Sequence, residues 1–267
     1  MSYTVILKAI WLYPVKSLPG VSVNVIGFDI IGPIDDRRWM LIDTEGRFVS
    51  QRSNPDMARF QWEQQGGEWI VQGFRGGQCA LPSSIDTGQS LRVRIWQDEV
   101  SALAAPEEVS AWFSEQLGKD VRLVRCTSET QRLINPDHAE QGENVAFADG
   151  YPLLIANQSS LDALNQQAGL SLDSRRFRAN LEIEGAPALS ELTATRLTTE
   201  DGGAIALVKP CERCNIPAID PDTAQYQRDV AAAIKEHCQW QGKTIFGMNG
   251  IARGIEHLAV GQSLRLE

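Results

Sequence analysis

The sequence predicts an α+β fold that is mainly β. Three observations carry this. Short runs of β-branched and aromatic residues recur along most of the 267 residues. Turn-forming Gly, Pro, Asn and Asp separate those runs. Helical spacing of apolar residues shows in only a few segments, and the alternating βαβ order of a doubly wound sheet is missing.

The elements follow in chain order. Val5 to Tyr13 is rich in β-branched and aromatic side chains and reads as the first strand. Trp39 to Ile42 and Arg47 to Ser50 flank Asp43-Thr44-Glu45-Gly46 and read as a hairpin. Glu68 to Gln72 and Leu91 to Trp96 alternate apolar and polar residues, as half-buried strands do. Pro106 to Leu117 carries a helix start in its proline and acidic first turn. Its stop is Gly118, and Val109, Trp112, Phe113 and Leu117 share one face. Ser159 to Gln167 predicts a second helix with Leu161 and Leu164 inward, and Asp229 to Cys238 a third. Thr193 to Thr198 and Ala204 to Val208 flank Glu200-Asp201-Gly202-Gly203 as a second hairpin. Leu258, Val260, Leu264 and Leu266 suggest a closing strand pair around a turn at Gly261. A boundary falls at Gly118 to Val121, after a helix and before a new strand, dividing the chain into 1–120 and 121–267.

Composition narrows the functional classes. The formal net charge of -9 argues against a broad nucleic-acid-binding surface, while leaving room for a local basic pocket. No run of 18 apolar residues exists to cross a membrane as a helix. The start, Met1 to Leu7, lacks a charged n-region and a small-residue cleavage site, so it reads as a strand and not a signal peptide. The five cysteines, Cys79, Cys126, Cys211, Cys214 and Cys238, are odd in number and scattered. That argues against a disulfide framework and for a reducing, cytoplasmic setting.

The sharpest local signal is Lys209-Pro210-Cys211-Glu212-Arg213-Cys214, in a loop at a strand end. Three chemistries fit a C-x-x-C here. A redox disulfide usually opens a helix, and Pro217 and Pro221 follow too closely for that. A structural zinc site would need His237 and Cys238 as its other half. Adjacent residues on a helix diverge by about 100° and chelate one metal poorly. In the third reading one cysteine is a lone protein thiolate on a metal whose other ligands belong to a cofactor. Soft sulfur suits a molybdenum–dithiolene centre, and Arg213 could hold an anionic group beside it. Residue chemistry alone leaves these three open.

The cysteine loop, running on to Asp220-Pro221-Asp222-Thr223, resembles that of MOSC proteins, and five further segments extend the resemblance in order along the chain. Tyr13-Pro14-Val15-Lys16-Ser17 is similar to a "PVKS" element, and Asp36-Arg37-Arg38-Trp39 to a "DR-x-aromatic" element. Phe147 to Leu154 with Ser160-Leu161 is similar to a third block. Phe177-Arg178-Ala179-Asn180 resembles "FRPN" with Ala179 for proline, and Phe246-Gly247-Met248-Asn249 resembles "FGQN".

The resemblance is to bacterial proteins that detoxify N-hydroxylated base analogues and to the mitochondrial amidoxime-reducing component. It implies an N-terminal β-rich MOSC N-terminal domain followed by a MOSC β-barrel, with a molybdenum cofactor between them. It implies Cys214 as metal ligand and catalytic residue. Lys16, Ser17 and Arg37 would hold polar parts of the pterin and its phosphate, with Arg178 and Asn180 on the ring or phosphate. Glu212 and Arg213 would line the metal end, Asn249 would close the pocket, and Gly150 and Tyr151 would add a further contact.

Each residue also has a plain structural reading. Lys16 and Arg37 could be surface charges, Arg178 could pair with a neighbouring carboxylate, Asn249-Gly250 could be a turn, and Cys211 a small buried residue. His138 sits in a polar loop, Asn135 to His138, that could serve as a lid or merely as a loop.

The activity the resemblance implies is reduction of hydroxylamines, amidoximes or N-hydroxylated bases. No C-x₄-C-x₂-C run for an iron–sulfur cluster is present, so electrons would come from a separate reductase or ferredoxin-like protein. The second function it allows is a carrier that delivers molybdenum cofactor or sulfur without turnover.

Overall fold

The computed structural model describes residues 2–83, 88–127 and 129–267. It is mainly β, as expected. Its centre is a closed barrel of seven strands: β1 (Tyr3–Leu12), β2 (Leu153–Asn157), β3 (Leu181–Glu184), β4 (Arg196–Thr198), β5 (Ala204–Glu212), β6 (Lys243–Arg253) and β7 (Ser263–Leu266). Round the barrel the order is β2-β3-β1-β7-β4-β5-β6, and β6 pairs back with β2 to close it. β2 and β3 run parallel, and the other neighbours are antiparallel.

Alternation fills the interior. Val5 and Leu7 point inward from β1, and a bulge before Ala9 shifts the phase so that Ile10 and Leu12 do so next. Ile155, Leu181, Ile183, Leu197, Ile205, Met248 and Leu264 complete that core. Gly247 in β6, at φ +78, lets the strand pass the carbonyl of Ile155, which a Cβ would meet at 2.6 Å.

The N-terminal part supplies a four-stranded sheet in the order Trp39–Ile42, Arg122–Arg125, Asp98–Ala104, Ser90–Ile95. Helix α1 (Glu107–Leu117) packs on it through Val109 and Phe113, against Leu41, Leu123 and Val15. Acidic residues open α1 and Gly118 at φ +66 ends it, as the sequence indicates. A smaller three-stranded sheet, Gln61–Gln65, Glu68–Gln72 and Gln78–Ala80, adjoins this core. Helices α2 (Gln158–Ala168) and α3 (Arg228–His237) flank the barrel, and Leu161, Leu164, Val230 and Ile234 join one cluster.

Two strand expectations differ from the structure. The return leg of the first hairpin is not a strand. The leg still returns along Trp39–Ile42, with the bridge of Ile42 to Phe48 and hydrogen bonds from the Asp43 amide to the Arg47 carbonyl and from the Val49 amide to the Leu41 carbonyl, on the edge opposite Arg122–Arg125, but the pairing is only a bridge long. The closing pair around Gly261 is not a hairpin either. His257–Ala259 pairs with Val25–Asp29, while β7 pairs with β1 and β4. Barrel closure outcompetes the local turn.

Candidate functional site

Strand register brings the site together. β1 ends where β3 begins, since Ile10 faces Leu181. β2 runs parallel to β3 and starts at the same end, and Leu154 faces Asn249 on β6. Asn249 in turn faces Lys209 on β5, just before the cysteine loop. Six segments far apart in sequence therefore meet at one end of the barrel: 13–17, 36–39, 147–151, 177–180, 211–214 and 249.

A cleft with ≈ 830 Å³ of empty space, open solvent included, lies there, and all eleven residues singled out from the sequence line it. Cys214 is exposed just beyond the end of β5 and is a free thiol. Cys211 is half-buried beside it, and Arg213 turns its Nη1 onto the Cys211 sulfur at 3.1 Å. Arg213 also donates to the carbonyl of Phe177 at 2.9 Å, while its buried Nε has no partner among the described residues. Glu212 points away to Lys243 at 3.1 Å. Among the described residues no three His, Cys, Asp or Glu side chains gather to hold a metal, so the zinc reading has no ligand set.

The basic wall is built from the first forty residues and from 178. Lys16 is 4% exposed, not a surface charge. Its Nζ donates to the carbonyl of Phe147 at 2.8 Å and to Asp149 at 2.5 Å. Burial pulls the Lys16 ammonium below its ordinary range, with Asp149 opposing. Loss of solvent pushes the Asp149 carboxyl up, but Lys16, and then Arg37, hold it well below the usual range. Arg132, buried, fastens this loop by bonds to the carbonyls of Ala146, Ala148 and Asp149.

Arg37 binds Asp36 at 2.6 Å and Asn180 at 2.9 Å, and stacks 4.2 Å from the ring of buried Tyr13. Arg178 stacks on the same ring at 4.4 Å. No carboxylate lies within ion-pair reach of Arg178 among the described residues, and Gln51, at 3.5 Å, is its one polar neighbour at bonding range there. Burial, reinforced by Arg37, pulls its guanidinium down to about 10, although Tyr13 opposes this. Arg178 thus remains cationic at neutral pH with donors to spare.

Asn180 behaves differently. Its Oδ1 accepts from Arg37 and the amide of Leu154, and its Nδ2 donates to Trp11 and Asp36. That uses all four of its hydrogen-bonding positions, so it orients Arg37 from behind. Asn249 lies within β6, not in a turn, and donates to the carbonyl of Lys209 at 3.1 Å. Tyr151 stands edge-on to His138, 6.2 Å between ring centres, beside open Gly150.

Backbone strain concentrates here. Of eight non-glycine residues with positive φ among the described residues, Ser17, Arg37, Trp96 and Arg178 line the cleft. Each costs roughly 1–3 kcal/mol, which the surrounding structure must offset.

The family patterns match at this point. The pattern described as the MOSC N-terminal beta barrel domain matches residues 4–120, and the MOSC domain matches 142–265. The chain belongs to the MOSC family. Human mitochondrial amidoxime reducing component 2 is 29% identical over 231 residues, covering 82% of this chain and 68% of that protein. A molybdenum cofactor sulfurase from Oryza sativa subsp. japonica is 24% identical over 263 residues, covering 91% of this chain but 32% of that protein. The solved YUAD protein from Bacillus subtilis superposes over the whole chain with a TM-score of 0.49 at 13% identity.

The sequence reading of this MOSC chain missed one wall of the cleft. Phe48, Ser50, Arg52 and Trp96 line it from the N-terminal part, and Asp149, quoted within a motif, was not singled out. The available signal was a bulky aromatic at a hairpin tip, Trp96-Gln97, where turn chemistry favours Gly, Asn or Asp. Among the described residues no helix is long and apolar enough to cross a membrane.

Proposed function

We propose that this MOSC protein holds a molybdenum–pterin cofactor in the cleft and reduces N-hydroxylated small molecules with electrons from a separate protein. One observation carries the reading: the exposed Cys214 thiol shares a cleft with the cationic groups of Lys16, Arg37 and Arg178. The residues suit such a group. A single accessible thiolate can serve a metal whose remaining ligands come with the cofactor. Arg178, lacking a carboxylate partner among the described residues, suits a phosphate, and the unpaired Nε of Arg213 adds a donor near the sulfur. The names of the relatives, amidoxime reducing component and molybdenum cofactor sulfurase, support the same chemistry.

In this reading Cys214 ligates the metal, and Lys16, Ser17, Arg37 and Arg178 hold the anionic and polar parts of the cofactor. Asn180 and Asp36 keep Arg37 aimed. Glu212, Arg213, Gly150, Tyr151 and Asn249 shape the walls. When bound, the metal centre supplies two-electron redox chemistry that these side chains lack. The overall change turns an N–OH into an N–H with two electrons and two protons, releasing water. A division of the chain near residue 120 belongs to the same proposal. Strands Trp39–Ile42, Ser90–Ile95 and Asp98–Ala104 with α1 fall in the first part, whereas Arg122–Arg125, which completes their sheet, comes after the division and β1, before it, is built into the barrel.

The test is turnover of an N-hydroxylated purine by metal-loaded protein with an artificial electron donor. Turnover that is lost in Cys214→Ser while pterin content persists supports the reductase. The second reading, a carrier of cofactor or sulfur, draws on the likeness to the sulfurase. Loaded protein without turnover that passes its cofactor to an apo-enzyme would favour it. Protein that binds neither molybdenum nor pterin overturns both.

A further inference from the structure

Trp96 is out of place by turn chemistry. It is the first residue of a two-residue turn between strands Ser90–Ile95 and Asp98–Ala104, since Ile95 pairs with Asp98. Its φ is +57, a conformation that glycine adopts freely and a tryptophan only under strain. It is also 41% exposed, so burial of the indole does not compensate for that strain. Three side chains nevertheless hold the ring. Phe48 meets it edge-on with centroids 5.0 Å apart, Arg52 stacks 4.4 Å from its centre, and its Nε1 points to Asp149 at 3.4 Å. Arg52 has no carboxylate within ion-pair reach among the described residues. All four residues line the cleft that Cys214 opens into. A strained, exposed, laterally braced aromatic facing a reaction cleft has the features of a stacking surface, because flat rings gain from an indole face and from a guanidinium plane alike.

We propose that Trp96, braced by Phe48 and Arg52, is a specificity-determining platform that stacks a flat heteroaromatic ring, so that ring-bearing N-hydroxylated substrates are taken in preference to ringless ones. The proposal deepens the reductase reading and rests on it for the word substrate. The platform's ring preference itself is measurable without turnover.

The experiment compares wild type with Trp96→Gly, which suits φ +57 and should fold at least as well, and with Trp96→Phe. Three quantities are read on metal-loaded protein: pterin content, equilibrium binding of an N-hydroxylated purine without electron donor, and kcat/KM for that purine and for hydroxylamine. Expected is pterin content like wild type, purine binding weakened about tenfold in Trp96→Gly, and a similar fall in the purine-to-hydroxylamine ratio of kcat/KM. Trp96→Phe should restore much of both. Loss of pterin in Trp96→Gly would make Trp96 a cofactor contact and overturn the proposal. Unchanged purine binding, or an equal effect on both substrates, would overturn it too. Should wild type turn over neither substrate, the reductase reading fails and the binding comparison alone decides the platform.

Discussion

Arg37 and Asn180, 143 positions apart, are joined by a 2.9 Å hydrogen bond from Nη1 to Oδ1. Through it a residue that follows β1 and one that precedes β3 become one unit, with Asp36 bonded to both. Removing any member leaves buried polar atoms without partners, and that penalty exceeds the value of a single bond.

Asn180→Ala should therefore destabilise the protein by about 2–4 kcal/mol, since four hydrogen bonds go at once in a site only 1% exposed. Urea denaturation at neutral pH measures it. A loss below about half a kcal/mol would mean that Arg37 is held by other means.

Gly247→Ala should cost at least about 3 kcal/mol. The new Cβ would meet the Ile155 carbonyl at 2.6 Å in a backbone conformation of φ +78. The cost should appear as a lower thermal midpoint, with β2 and β6 the first strands to gain hydrogen-exchange rates. A stability equal to wild type would rule out this close strand passage.

Acid should weaken the Lys16–Asp149 link. Folding holds the Asp149 carboxyl below its ordinary value, so the unfolded chain binds the proton more readily. The contribution is fully present above the unfolded value of about 3.9 and is lost as pH falls toward the folded one. Because the Asp149 side chain is 72% exposed, solvent screening keeps it to about 1 kcal/mol. Thermal midpoints of wild type and Asp149→Asn should differ at pH 6 and converge in strong acid. A gap that stays constant with pH would refute this account.

Tyr13 should resist deprotonation. Burial pushes its hydroxyl up to about 12, although Arg178 and Arg37 pull the other way. Tyr13 should contribute nothing to the phenolate absorbance that develops up to about pH 11. Tyr13→Phe should leave that absorbance change intact, and a reduced amplitude in the variant would contradict the assignment.

Much of the cleft was legible because its polar walls sit in short motifs, each with a local reason to be where it is. Lys16 follows the first strand, Arg178 ends a short 3-10 turn, and Cys214 follows β5. The three helices were legible for the same reason, since their caps and apolar faces are local signals. Partners fixed by long-range pairing were not. Nothing near Leu264 announces that it faces Val5, so the last strand was read as half of a hairpin. Nothing near Arg132 shows that it clamps the 146–149 loop, and Arg52 reaches Trp96 only through the fold. The full use of Asn180 was likewise invisible, because its four partners come from three separate segments, at Trp11, Asp36-Arg37 and Leu154.

The seam between β1 and β7 has a consequence for synthesis. Tyr3 lies opposite Leu266, so during synthesis the Tyr3–Ile6 edge of β1 must wait unsatisfied until the segment 263–266 has emerged. During that interval the Tyr3–Ile6 stretch of β1 offers open amides and carbonyls to any neighbouring chain, whereas Ile10–Leu12 can already pair with Val21–Val23. Chaperone demand and aggregation should accordingly track the time taken to translate the stretch between these two strands.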